Sequence, residues 1–250
     1  MDTPLERERD AVLADMARLG YPIRGHVRIA VAPRLQATAT TIPTEEGYQI
    51  LVSPRVLDEG RLRGLLAHEL AHVYRIDSKH ASHDDDAITA AYASLPASAQ
   101  EREFQRAFLH HAINIVEDLY ADGIGFRVME DIGALEGKPI GEFLEMFLTD
   151  EPFDIADERE HRWDVTHDVV NNARGLTMMK RHAAKEDVAR AEATNVRLLA
   201  RVPKDIAAAA PWFQRRFDTL PEDPTREEFA RLLAEYVLHF VEVAEGTRPR

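Results

Sequence analysis

The five residues His68-Glu69-Leu70-Ala71-His72, inside GLLAHELAHVYRID, are the strongest chemical signal in this 250-residue sequence. Two histidines four apart on an α-helix share one face, a turn apart, close enough for both imidazoles to hold one ion. The glutamate between them lies near the same opening, where it can take a proton from water activated by that ion. The chemistry this spacing points to is zinc-dependent hydrolysis, with Glu69 as the base. Leu65, Leu66, Leu70 and Val73 flank the motif and would bury part of its helix.

A catalytic zinc normally takes three protein ligands and keeps one position for water. An extended metzincin pattern would need Gly at 75 and His at 78, but Arg75 and Ser78 stand there. His80 and His83, in SKHASHDDD, lie in a polar stretch beyond the helix that reads as a solvated loop. The better source of a third ligand is HHAINIVEDLYAD, His110 to Asp122. There His110, Asn114 and Glu117 run along one helix face, with Asp118 and Asp122 on the adjacent edge. Acids among Ile113, Ile115, Val116 and Leu119 are expensive to bury without a partner, and a metal ion or a metal-bound histidine is such a partner. The plainer alternative is an exposed acidic stripe, but apolar residues flank these acids on more than one side.

The elements that must position these residues can be read coarsely. PLERERDAVLADMARL, residues 4 to 19, has helical spacing and stops at Gly20. HVRIAV (26–31), ATATTI (37–42) and YQILV (48–52) read as three strands separated by turn chemistry, hence a small meander. Ser53-Pro54 opens a helical stretch, and a second start signal lies near Asp58. From about residue 57 the pattern is helical: 87–95, 101–129, EFLEMFL after a Gly/Pro break, 166 to about 199, and 225–243.

A strand region, an HExxH helix and a following helix with Asn-x-x-Glu-Asp resemble the minimal core of the gluzincin metallopeptidases, over roughly residues 26 to 130. The pattern also resembles uncharacterised archaeal proteins with an HELSH-type helix. The resemblance implies a zincin-like α+β core, and the periodicity of residues 151–250, which the resemblance does not cover, adds a mostly helical C-terminal half. The resemblance also implies one Zn²⁺ per chain held by His68, His72 and Glu117, with Glu69 activating water to cleave a peptide or protein substrate. One departure stands out. Several gluzincins carry an aspartate four residues after the glutamate ligand, and here that position is Ala121. Sliding by one would make Asp118 the ligand and Asp122 its orienter. The longer side chain of Glu117 favours Glu117, leaving Asp118 and Asp122 to fix the imidazole tautomers. Tyr74, Tyr120 and His167 are the available donors for an oxyanion.

Composition narrows the classes. A formal net charge of −13 argues against a nucleic-acid surface. With 0 Cys, disulfides and thiolate metal sites are excluded. No apolar run is long enough to span a bilayer, and the charged N-terminus lacks a signal-peptide core, so a cytoplasmic protein is expected. The expected organisation is a metallopeptidase core over residues 1–150 and a helical subdomain over 151–250. The second part reads as plain helical core. As a cap over the cleft, it would limit substrates to flexible peptides. Two other classes remain: a non-catalytic zinc protein, favoured by a fourth ligand such as His110 or His80, and a helical HD-type phosphohydrolase, suggested by His83-Asp84 and His167-Asp168.

Overall fold

The structure, a computed structural model, describes residues 3–35, 37–58, 61–135 and 140–247. It is α+β, with one small sheet and many helices. The chain divides into two compact units, each discontinuous in sequence. One comprises Met1–His83 with Tyr120–Lys138, and the other Asp84–Leu119 with Pro139–Arg250.

In the first unit, α1 spans Pro4–Arg18 and opens on a capping box. Thr3 Oγ1 accepts from the Glu6 backbone N–H at 3.2 Å, and Glu6 Oε2 accepts from that of Thr3 at 2.6 Å. Strands β1 (His26–Val31), β2 (Ala39–Thr44) and β3 (Gly47–Val52) form one sheet in the order β1-β3-β2. This order corrects the expected meander: β3 lies in the middle, antiparallel to β2 and parallel to β1. The physical reason lies in the two connections. Glu45-Glu46 is a two-residue turn that forces β2 and β3 to pair as a hairpin. The longer stretch between β1 and β2 lets β2 sit away from β1, whose partner becomes β3. Gly47, at φ 137°, makes this packing possible, since a Cβ there would lie 2.1 Å from the His26 carbonyl oxygen. β2 also starts two residues later than the ATATTI alternation suggested.

After a short helix α2 (Pro54–Asp58) comes α3, Leu62–Asp77, which carries HELAH. Leu66, Ala67, Leu70, Ala71 and Val73 are fully buried, so this helix is covered on more than its apolar stripe. It packs on α1 and β2. Its C-terminal Asp77 accepts from the backbone N–H groups of Arg24 and Gly25 at 2.9 and 3.1 Å, tying the entry of β1 to the end of α3.

The second unit holds α4 (Asp85–Ala93), α6 (Ile140–Leu144), α7 (Glu158–His182), α8 (Lys185–Leu199), α9 (Lys204–Asp218) and α10 (Arg226–Ala244). α5, Glu103–Asp131, is one continuous helix that runs through the boundary at residue 119. The expected helix over 166–199 is two helices. The chain leaves the helix at Ala183 (φ −102°, ψ 166°) and α8 folds back on α7, burying Ala191 and Leu198. No Gly or Pro marks that break, so periodicity alone runs straight through it. Trp163, Val165, Val169, Val170 and Leu176 of α7 are buried as their spacing predicts, as are Leu232, Leu233, Tyr236, Val237 and Phe240 of α10. No described helix is long and apolar enough to cross a membrane.

Candidate metal centre

The site is built on α3 and α5. Gly125 of α5 lies against the motif: a Cβ there would be 3.4 Å from the His68 Cα and 3.6 Å from the Ala67 carbonyl oxygen. This absence of a side chain lets the two helices approach closely at His68. Arg75 Nε–H donates to the Tyr120 carbonyl at 3.0 Å and fixes the pair about two turns further along α3. Asp122, one turn before Gly125, is therefore driven into the helix–helix seam and is 2% exposed. Its Oδ1 lies 2.9 Å from His68 Nδ1. The partner of that nitrogen is a carboxylate, so Nδ1 carries the proton and Nε2 carries a lone pair.

The two motif histidines converge through those Nε2 atoms. His68 Nε2 and His72 Nε2 lie 3.2 Å apart. Two imidazole nitrogens bound to one tetrahedral zinc would lie about 3.3–3.4 Å apart, from Zn–N bonds of about 2.0–2.1 Å. The rings already hold the spacing the ion requires. One ligand atom from each of His68, His72 and Asp118 falls within 4.8 Å of the other two, and this is the one such group among the described residues. Two imidazoles and a carboxylate are a donor set that zinc accepts, so the residues fit the ion.

The third member is Asp118, not Glu117. Residues 118 and 122 are a full turn apart and share a face, whereas residue 117 is turned about 140° from 122. On α5, Asp118 shares the face of Asp122, the residue that lies against His68, and Glu117 does not. With its amide turned so that the nitrogen faces the carboxyl, Asn114 donates to Glu117 Oε2 at 3.3 Å. Burial, with the charges of Asp118 and Asp85, pushes the Glu117 carboxyl up to about 8. Asp118 is instead held by Arg174 of α7, whose Nη1–H donates to Asp118 Oδ2 at 2.9 Å. The guanidinium of Arg174, 6% exposed, also lies over the Phe147 ring at 4.8 Å. Nothing in the spacing of α7 marks Arg174 as part of a site.

Glu69 is 7% exposed and accepts a hydrogen bond from Thr41 Oγ1 at 2.7 Å. Thr41 stands on β2, an edge strand of the sheet, so the motif glutamate is held beside an edge whose outer backbone groups pair with no strand among the described residues.

Within SKHASHDDD the ends are exposed, but His80 to Ser82 are not the solvated loop the composition suggests. The segment forms a 3-10 turn, Ala81–His83, in which Ser82 is fully buried and His80 is 9% exposed. The polar side chains satisfy one another, which removes the penalty for burying them. His83 Nε2 lies 2.8 Å from His72 Nδ1, Ser82 Oγ lies 2.8 Å from His83 Nδ1, and His80 Nδ1 lies 2.7 Å from Ser82 Oγ. His80 and His83 thus back the motif helix instead of floating beyond it. His110 is exposed. His167 packs near Phe108 and His111, with ring centroids 5.6 and 5.7 Å away, and burial lowers its pKa to about 4. The Tyr74 ring packs edge-on against Tyr21, and the Tyr120 ring lies 5.3 Å from that of His80. Asp84 caps α4 by accepting from the Ala87 N–H at 2.9 Å.

Residues 10–242 match the family of unknown function DUF5781, and the chain belongs to that family. No curated protein and no solved structure shows significant similarity to it.

Proposed function

We propose that this protein is a zinc-dependent hydrolase of peptide bonds, with His68, His72 and Asp118 as the ligands and Glu69 as the general base. The observation that carries the reading is the approach of His68 Nε2 and His72 Nε2 to 3.2 Å, with a carboxylate of Asp118 in the same group. Zinc held there would supply Lewis acidity, polarising a carbonyl and lowering the pKa of water towards neutrality.

This chain's own residues supply the remainder. Glu69, one residue from His68 and held by Thr41, is placed to accept a proton from the attacking water and return it to the leaving amine. Asp122 keeps the proton of His68 on Nδ1 and the lone pair on Nε2. Arg174 fixes the rotamer of Asp118 and balances its charge in a largely buried setting. The edge of β2 offers unpaired backbone groups to an extended chain, and Thr41 sets that edge beside Glu69. A peptide bound as an added strand would bring its amide bonds past the base.

The test is metal analysis followed by digestion of a broad peptide library. The purified chain is expected to hold about one zinc, with cleavage products that vanish on chelation. Glu69→Gln keeps shape but cannot accept the proton, so zinc should stay while hydrolysis falls by about two or more orders of magnitude. A Gln variant that cleaves at the parent rate removes Glu69 from the mechanism. Stoichiometric zinc without cleavage of any peptide transfers the site to a non-catalytic role.

A further inference from the structure

The direction of each hydrogen bond behind His72 can be worked out from one fixed end. The backbone N–H of Ser82 donates to His80 Nδ1 at 3.2 Å, so that nitrogen carries a lone pair. Ser82 Oγ lies 2.7 Å from the same Nδ1, and between an unprotonated nitrogen and a hydroxyl the hydroxyl must donate. With its proton spent on His80, Ser82 Oγ can only accept from His83 Nδ1–H, 2.8 Å away. A neutral His83 protonated on Nδ1 has its lone pair on Nε2, which then accepts from His72 Nδ1–H at 2.8 Å. A neutral His72 protonated on Nδ1 then has its lone pair on Nε2, as Asp122 independently gives His68, and two such lone pairs 3.2 Å apart repel unless a cation lies between them.

We infer that His80, Ser82 and His83 are positioning residues that lock His72 as the Nδ1–H tautomer, so that its Nε2 is delivered as a metal-ready lone pair. The metal purpose of this lock rests on the zinc reading, while the direction of the chain does not. The arrangement differs from the carboxylate behind His68. A neutral imidazole behind His72 orients the ring without adding a second negative charge next to Asp118 and Glu69. The burial of Ser82 makes the lock rigid, because no water competes for the hydroxyl.

The experiment uses the full chain labelled with ¹⁵N at histidine, at a pH near 8.5 where ordinary imidazoles are neutral. Long-range ¹H–¹⁵N correlation reads the tautomers in the zinc-free and zinc-loaded protein. The expected pattern is Nδ1–H on His72 and His83 and Nε2–H on His80. Ser82→Ala should release it, giving mixed tautomers at His83 while the melting profile stays cooperative. Zinc affinity, read by chelator competition, should fall about 10- to 100-fold in His83→Leu. His83→Gln should recover most of that loss, because its carboxamide oxygen accepts from His72 Nδ1–H. A His83 found as Nε2–H, or a His80 found as Nδ1–H, overturns the chain. So does a His83→Gln variant that folds but binds zinc no better than His83→Leu. If the protein binds no zinc at all, the hydrolase reading fails, and the tautomers of the zinc-free chain still decide this inference.

Discussion

Replacing Asp118 and Glu117 one at a time separates the two readings of the third ligand. On the proposed ligand set, Asp118→Ala removes one of three protein donors, a larger loss than disturbing an orienting residue, for which about 10- to 100-fold in affinity is usual. A loss of about 1,000-fold or more is therefore expected for Asp118→Ala. Glu117→Ala should leave affinity within a few-fold, since residue 117 is turned about 140° from Asp122 on the helix. A second effect must be removed from the comparison. Asp118 is also the partner of Arg174, 2.9 Å away, and the Arg174 side chain is 8% exposed. Breaking such a pair costs up to about 3–5 kcal/mol of stability, enough to lower apparent affinity through unfolding alone. Arg174→Met is the control, because it loses the same ion pair but keeps the carboxylate. It should weaken zinc by no more than the 10- to 100-fold range of an orienting residue. The assay is competition with a chromophoric chelator, with thermal melts confirming that each variant is folded. Zinc retained in Asp118→Ala and lost in Glu117→Ala would restore Glu117 as the ligand and refute the helix-register argument.

Asp122→Ala should lower zinc affinity about 10- to 100-fold, because His68 Nδ1–H loses its acceptor. An unchanged affinity by the same competition would show that the carboxylate is only filling the seam. Asp168 of α7 bears on stability, since burial and the charge of Asp164 push its carboxyl up to about 7, and Asp168 Oδ2 has no hydrogen-bond partner among the described residues. A carboxyl whose folded pKa is raised holds its proton in the folded state where the unfolded chain has lost it. Stability from this group is therefore fully present below about pH 4 and falls as pH rises towards 7. Asp168→Asn should raise stability by about 1–3 kcal/mol at pH 8 and not at pH 4, read by urea unfolding at both values. Equal effects at the two pH values would count against the buried-carboxylate account.

The α-helices and strands were legible where local chemistry marks them. Thr3-Pro4 with Glu6, and Thr225 with Glu228, announce α1 and α10 through capping boxes, and both helices form there. β1 and β3 follow from alternation and turn residues. The sheet order was not legible, because alternation says which residues face a core and nothing about which strand is the neighbour. The break between α7 and α8 was equally hidden. It is set by α8 folding back to bury Ala191 and Leu198, a tertiary event with no Gly or Pro to signal it.

The convergence of His68 and His72 could be read from spacing because they stand one turn apart on one helix, where spacing is geometry. Asp118 could not be chosen over Glu117 that way. Side-chain length favours the glutamate only if the two helices stand a normal distance apart, and Gly125 removes that condition. Where a Cβ would already lie 3.4 Å from the His68 Cα, the seam is narrow and a short carboxylate suffices. Residues 118, 122 and 125 share one face of α5 at steps of four and three, so the glycine that narrows the seam and the two acids that use it form one pattern. The acid-rich stretch is thus two sets in one helix. Asp118 and Asp122 share one face of α5, and Glu117 lies off it, where Asp85 adds to its charge burden. His80, Ser82 and His83 were hidden for the opposite reason. Their composition is that of a solvated loop, and only their mutual hydrogen bonds make burial tolerable. Polar residues that satisfy one another are indistinguishable, in sequence, from polar residues that satisfy water.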